Sequence, residues 1–269
     1  FNGSVVQNDG TASDKKMTVK KNATGIYAEK SNIYVNETMD ITGESGVGIY
    51  ASDNTITNSV HNNSVITLSD SISTADSRIG MYLTNSQGEN KNTGTIKTGK
   101  NNIGIYNKNS VFKNDSSGKI EVLDTSASAE NIGLYAIAKG TAADKFSISN
   151  LGTLDIRGLS NIGIYAEKDA SGGNSEIKLT GGTINVASSN PAGNSYAIGV
   201  YSKGDGIVLD GLGTIKQTTG QTIGIYQTGK SILKGNGIIE LAPEATGVYL
   251  TNGAQGDSGL LNIENKLAI

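Results

Sequence analysis

The chain has 269 residues, of which 36% are hydrophobic, 36 are glycine, 2 are proline and none is cysteine or tryptophan. A hydrophobic share below the ~45–50% of ordinary compact domains argues against one large spherical core, and zero cysteine excludes disulfides, thiolate metal centres and a cysteine nucleophile. With 22 basic against 25 acidic residues, a net charge of −3, and Arg78 and Arg157 as its sole arginines, the chain lacks the basic stripe that nucleic acid requires, so no nucleic-acid partner is expected.

The opening FNGSVV already alternates like a strand, and the closing NKLAI stops on apolar residues, which predicts a piece of something longer. No apolar run approaches the ~20 residues of a membrane helix, and no charged-then-apolar leader precedes Phe1. The first clear unit is GIY at Gly25: a glycine, an aliphatic residue and a tyrosine. It returns at Gly48 and is followed by TIT at Thr55, the Asn-rich turn SVHNNS around His61, and SVITL at Ser64, in which apolar and polar residues alternate. The expansion SDSISTADSR (Ser69 to Arg78) leads into GMY at Gly80, and then come GTIKT at Gly94, GIY at Gly104, VFK at Val111 and GKIEV at Gly118.

A second expansion, DTSASAEN (Asp124 to Asn131), precedes GLY at Gly133, and a third, IAKGTAADK (Ile137 to Lys145), follows it. FSI at Phe146 and GTLDI at Gly152 lead to GIY at Gly163, whose own sequel is EKDASGGNS (Glu167 to Ser175). EIKL at Glu176 and GTINV at Gly182 come next, then ASSNPAGNSY (Ala187 to Tyr196), GVY at Gly199 and KGDGIVLDGLG (Lys203 to Gly213). The chain finishes with GTIKQ at Gly213, GIY at Gly224, SILK at Ser231, GIIEL at Gly237, GVY at Gly247 and LLNI at Leu260.

Nine of the eleven tyrosines stand in the one motif, at Tyr27, Tyr50, Tyr82, Tyr106, Tyr135, Tyr165, Tyr201, Tyr226 and Tyr249, with gaps of 23, 32, 24, 29, 30, 36, 25 and 23. A floor near 23 with insertions above it is the mark of a solenoid. Three short strands per period, each closed by Gly, Asn, Asp or Ser, predict an all-β fold: a right-handed, single-stranded, three-sided parallel β-helix of about ten coils, continuous over residues 1–269. At ~4.8 Å per coil the rod would be about 45–50 Å long. Leucine-rich repeats would need an LxxLxL pattern, and a propeller blade four strands over ~40 residues; neither pattern is here.

Alternation assigns faces. Residues on both sides of the motif glycine, such as Ile103 and Ile105 or Ile162 and Ile164, are expected inside as an aliphatic ladder, together with Ile120, Val122, Leu154, Ile156, Ile184, Val186, Ile239 and Leu241. Glycine and tyrosine are expected outside. Identical rings in every coil favour a stacked tyrosine ladder laid over the glycines; an exposed stripe that grips a ligand, and a bend that tucks each ring into a corner, are the alternatives.

Chemistry-bearing clusters are sparse. Glu121 and Asp155 fall at equivalent outward positions of successive coils with Lys97 before them, which reads as a solvated charged column. His61 is the only histidine; without cysteine or a nearby acid pair it predicts neither a triad nor a zinc site and reads as a solvated turn residue. KGDGIVLDGLG echoes a calcium-roll repeat once, without the tandem copies such rolls need. No catalytic residue, metal or cofactor is therefore expected. Recognition is expected in the expansions, because loops on a rigid frame carry specificity. The enlarged turns after Tyr135 and Tyr165 lie on consecutive coils and are expected to stack into one protrusion, with ASSNPAGNSY at the other end of the next tyrosine strand flanking the same face. Lys145, Lys168, Asp169 and Tyr196 are the contact candidates.

The repeated NIGIYA, GVGIYASD and GTIK units, in an Asn-, Lys- and Gly-rich chain, resemble the passenger domains of the large type V autotransporter adhesins of fusobacteria, of the RadD type. The resemblance covers Ala23 to Glu264. It implies a monomeric β-helical stalk on the bacterial cell surface, held in the outer membrane by a C-terminal barrel outside this sequence. Its partner would be a protein or glycan on a host cell or another bacterium, bound without catalysis. A glycan-degrading β-helix enzyme or phage-tail depolymerase, on the pattern of pectate-lyase-like and polygalacturonase-like folds, and a mechanical spacer with no ligand are the competing readings.

Overall fold

The structure, a computed structural model, describes residues 5–7, 16–53, 59–123, 130–179, 181–188, 195–211, 213–234, 237–251, 260–263 and 267–268. Among these, 29 strands form three parallel sheets of ten, ten and nine strands, and every sheet takes each third strand in chain order. That is a three-sided parallel β-helix with nine complete coils and two strands of a tenth. One coil runs Gln87–Asn90, Thr95–Thr98, Ile103–Lys108, and the next Val111–Asn114, Lys119–Leu123, Ile132–Ala138. Each strand pairs with its counterpart one coil on: Gln87 with Val111, Thr95 with Lys119, Ile103 with Ile132. We name the three faces the tyrosine sheet, the alternating sheet (GTIKT-type strands) and the third sheet. TIT at Thr55 lies outside the described residues, as do residues 124–129 and 189–194 of two expansions; the third-sheet strand nearest TIT is Val60–Asn62.

In the alternating sheet the period of two works as expected. Ile66, Ile96, Ile120, Leu154, Ile184, Ile215 and Ile239 stand in one register column and are at most 1% exposed. Each such side chain is worth about 1.5–3 kcal/mol when buried. A single coil is one strand thick and has nothing to bury it against except the coils above and below, so the fold is stable only as a stack. Leu241 departs from the expected pattern: it follows the strand Gly237–Glu240 and is 46% exposed.

The tyrosine sheet corrects the expected assignment of faces. The residue after each motif glycine is inside, as Ile49, Met81, Ile105, Leu134, Ile164, Val200 and Ile225 show at 1% exposure or less. The residue before it, at Val47, Ile79, Ile103, Ile132, Ile162 and Ile198, lies half-buried on the outer surface. Glycine breaks the alternation. Ile103 pairs with Ile132 and Ile105 with Leu134, while Gly104 drops out of register. The glycine therefore faces inward together with the residue that follows it. A side chain on Gly104 would meet the carbonyl oxygen of Gly133 at 2.6 Å, and for the glycines from Gly25 to Gly224 the next motif glycine's carbonyl lies 2.5–2.8 Å away. Each glycine is required because the backbone of the next coil fills the space of its Cβ.

Corners follow from local chemistry. The third residue after the tyrosine takes a left-handed conformation at Lys30, Asp53, Asn85 and Asn109 (φ 46–52°), and glycine stands there at Gly204 (φ 102°) and Gly229 (φ 90°). Between the third and alternating sheets runs a buried asparagine ladder. Asn62 Nδ2 donates to Asn90 Oδ1 at 2.9 Å, Asn90 to Asn114 at 2.9 Å and Asn114 to Asn150 at 2.7 Å. The same amides reach backbone carbonyls of Ser64, Gly94, Gly118 and Gly152 at 2.9–3.2 Å. A buried amide without partners costs about 1–3 kcal/mol, so the stacked column satisfies in one stroke the side chains and the turn carbonyls beneath them.

Candidate functional site

The tyrosines face outward and form a continuous ladder. Ring centroids are 4.7–5.4 Å apart, and Tyr27 through Tyr106 and Tyr165 through Tyr249 lie within 25° of parallel. The rings stack on one another rather than on the glycines. One rung differs: Tyr135 is edge-on to Tyr106 (80°) and to Tyr165 (74°). Its hydroxyl donates to Glu167 Oε2 at 2.9 Å, while Lys139 and Lys203 approach Glu167 Oε1 at 2.7 and 3.0 Å. Burial and then the bond to Glu167 push the Tyr135 phenol well above the usual tyrosine range. Burial alone would raise Glu167, but Lys139, Lys203 and Tyr135 outweigh it and hold the carboxyl below its ordinary value.

Beside the upper ladder the half-buried aliphatics Ile132, Ile162 and Ile198 and the buried Ile223, with Tyr165, Tyr196 and Tyr226, line an open cavity of about 430 Å³. Tyr196 is 40% exposed and stands at the entry of its strand, outside the ladder. Of the four contact candidates it is the aromatic one on this face.

The two enlarged turns stack, as their spacing predicts. Gly173 N donates to Asp144 O at 2.8 Å and Asp169 N to Ala138 O at 3.3 Å, tying the second turn onto the first. Asn109 Nδ2 binds Asp144 Oδ1 at 2.8 Å from the coil below. Under this protrusion, along the third sheet, lies a groove of about 530 Å³ lined by Gln87, Asn109, Val111, Asp144, Lys145 and Glu176 among others. Lys145 is exposed at its rim. Lys168 is not a surface candidate: it is 9% exposed, and its Nζ donates to the carbonyl of Asp169 at 3.3 Å. Asp169 is spent on its own turn, accepting from Ser171 N, Ser171 Oγ and Gly172 N at 2.7–3.1 Å, which holds its carboxyl below the ordinary range, the Ser171 hydroxyl first. Lys145 and Tyr196 line different cavities, so the structure does not join them in one site.

The charged column of the alternating sheet is paired throughout. Lys97 is 3.3 Å from Glu121, Lys119 is 2.7 Å from Glu121 and 3.0 Å from Asp155, and Asn185 donates to Asp155 at 2.5 Å. In KGDGIVLDGLG the glycines Gly204, Gly206 and Gly211 have positive φ, and Asp205 accepts from Lys230 N at 2.7 Å, a turn function. Among the described residues no group of three or more His, Asp or Glu is placed to hold a metal ion, and no helix is long and apolar enough to cross a membrane.

His61 is the main departure. It is not a solvated turn residue: it sits in the strand Val60–Asn62 of the third sheet with a side chain 12% exposed. Tyr34, one coil below, stacks on its ring at 4.6 Å and 10°. Ser59 Oγ lies 2.7 Å from Nε2, and Glu89 Oε2, one coil above, 3.1 Å from Nδ1. Glu89 was missed because its strand QGEN buries Gly88 and Asn90 and so carries no apolar alternation. The register pairs Glu89 with His61 and would have brought the two together had that strand been recognised.

No protein-family model matches the chain, and no curated protein matches it. Among solved structures, a similarity to the TibC-catalyzed hyper-glycosylated TibA55-350 fragment spans 98% of this chain and 97% of that one, at 11% identity and a TM-score of 0.18, too low to bear on fold or function.

Proposed function

We propose that the chain is an attachment segment of a cell-surface β-helical passenger of the type V autotransporter class, one that holds its ligand without turning it over. A protein or glycan on a host cell or another bacterium is bound by side chains on the shaft and its loops, and the segment works as a monomer tethered by a barrel encoded outside this sequence. The observation that carries the reading is the stacked pair of turns at 137–145 and 167–175. They are hydrogen-bonded to each other and to the coil below and overhang a groove along the third sheet. A ligand of extended shape fits such a groove better than a compact pocket.

The test is binding of the isolated chain to immobilised bacterial and epithelial cells and to a glycan array, with Lys145→Glu and a variant shortened in both turns. Loss of binding in both variants, with unchanged circular dichroism, supports attachment through the protrusion. Binding by neither the parent chain nor the variants supports the spacer reading instead. Depolymerisation of a polysaccharide that disappears on changing both Glu121 and Asp155 to alanine would replace the proposal with a glycan-degrading enzyme. Against that outcome stands the engagement of both carboxylates by Lys97 and Lys119 in ion pairs.

A further inference from the structure

Ser59, His61 and Glu89 share one outward-facing patch of the third sheet by register. Ser59 immediately precedes the strand Val60–Asn62 and lies two residues from His61, within reach of its ring, and Glu89 is the cross-coil partner of His61. Distances of 2.7 Å from Ser59 Oγ to His61 Nε2 and 3.1 Å from His61 Nδ1 to Glu89 Oε2 connect hydroxyl, imidazole and carboxylate in series. The order of contacts sets the tautomer: the carboxylate takes the proton of Nδ1, which leaves Nε2 as an acceptor for the serine hydroxyl. The imidazole cannot swing away, because Tyr34 stacks on its face. Nor can the carboxylate, whose other oxygen is held by Lys113 at 2.9 Å. The groups facing this imidazole are Ser59, Tyr34 and Glu89, with Lys91 and Lys113 beyond the carboxylate.

We propose that this cluster is an acyl-transfer site, with Ser59 as nucleophile, His61 as general base and Glu89 as the group that orients it, acting on short-chain carboxylic esters. The site opens on a cavity of about 160 Å³ lined by Ser59, His61, Gln87, Gly88, Glu89, Val111 and Lys113. That space is the size of an acetyl or propionyl ester with a few waters at ~30 Å³ each. Gln87 and Lys113 line this cavity and carry the N–H donors that an oxyanion needs, Lys113 with the proton that its bonds to Glu89 and Asp115 leave over. Ser59 Oγ attacks the ester carbonyl while its proton passes to Nε2. The tetrahedral intermediate collapses to a Ser59 ester, and the alkoxide leaves with the proton from Nε2. Water then attacks the Ser59 ester, again giving a proton to Nε2, and the carboxylic acid is released with the serine restored. Burial lowers the His61 pKa against the opposing pull of Glu89, so the base is in its neutral form at pH 7.

This activity goes beyond the attachment reading and does not rest on it: either can fail alone. It is tested by treating the intact chain with a serine-directed fluorophosphonate and by following p-nitrophenyl acetate hydrolysis. The expected result is one adduct, mapped to Ser59 by peptide mass spectrometry, and hydrolysis that falls by about 10²-fold or more in Ser59→Ala and His61→Gln. The pH–rate profile should rise through a single group below the ordinary histidine value, and Glu89→Gln should shift that profile and slow labelling. Labelling spread over many serines, no labelling at Ser59 in the folded parent chain, or hydrolysis undiminished in Ser59→Ala would overturn it. The parent-chain labelling reads the outcome even if a variant misfolds.

Discussion

Replacing Gly104 by alanine tests the account of the repeated motif most directly. Gly104 is not among the residues with positive φ, so the added methyl strains nothing in its own backbone and its cost is wholly steric. The new Cβ would stand 2.6 Å from the carbonyl oxygen of Gly133 and 3.3 Å from Ile96 Cγ2 and Thr98 Cγ2. Ordinary contact begins near 3.4 Å, so the carbonyl must retreat by about 0.8 Å. A backbone atom in a strand that is paired on both sides yields less readily than a side chain. Overpacking of this kind costs about 1–3 kcal/mol, partly offset by the ~0.4–1 kcal/mol that alanine gains by restricting the unfolded chain. A net loss of about 1–2 kcal/mol is expected, read as a lower urea midpoint by far-ultraviolet circular dichroism. Ile238→Ala, at a position 48% exposed on the outer face, is the control and should change stability by less than about 0.5 kcal/mol. A Gly104→Ala midpoint equal to or above that of the parent would refute the steric reason for the glycine column.

Asn114→Leu breaks the middle of the asparagine ladder, removing the bonds to Asn90, Asn150 and Gly118, and should cost about 2–4 kcal/mol in chemical denaturation. Asn150→Leu, at the end of the ladder beside Leu179, should cost less because a leucine already fits the next place in the column. The phenols of Tyr82, Tyr106, Tyr135, Tyr165 and Tyr226 are all raised, burial being the first cause. An absorbance titration at alkaline pH should therefore show a late-ionising set, and stability should be intact below about pH 10 and fall as pH rises beyond it. Glu167 has the opposite sign: its depressed carboxyl contributes stability above the ordinary glutamate value of about 4.3 that is lost as pH falls through the lower folded value. Glu167→Gln should accordingly flatten the acid limb of a stability-versus-pH curve; an unchanged limb would show that the cluster contributes nothing.

Periodicity made the architecture legible, because a parallel stack repeats the same environment once per coil. The alternating strands, the isoleucine column at Ile96 and Ile120 and the outward tyrosines were all readable from parity. Parity failed where backbone geometry changes at a single residue. Gly104 drops out of register and turns inward, which sends Ile103 outward, and no pattern of hydrophobicity distinguishes that kink from a regular strand. It failed again where a strand carries no apolar residue, as in QGEN, whose buried positions are Gly88 and Asn90. Of the contact candidates, Lys145 and Tyr196 are at the surface. Lys168 is buried and Asp169 is engaged at the surface by hydrogen bonds within its own turn, since a charged residue in a long turn looks the same in sequence whether it is free in solvent or caps the chain.

The one irregular rung of the tyrosine ladder ties these observations together. Glu167 begins the second enlarged turn, accepts the hydroxyl of Tyr135 and is bridged by Lys139 of the first turn and Lys203 of the following coil. The ring that leaves the parallel stack is thus the ring that anchors the protrusion. A solenoid of identical coils offers a ligand the same surface at every level and cannot fix where along the shaft it binds. Four charged or polar groups clustered over three successive coils, with the turns stacked beside them, single out one stretch of the shaft. The groove below the turns shares Gln87 and Val111 with the cavity at Ser59, so these two cavities adjoin along the third sheet, and the paired strands of the neighbouring coils hold them in place.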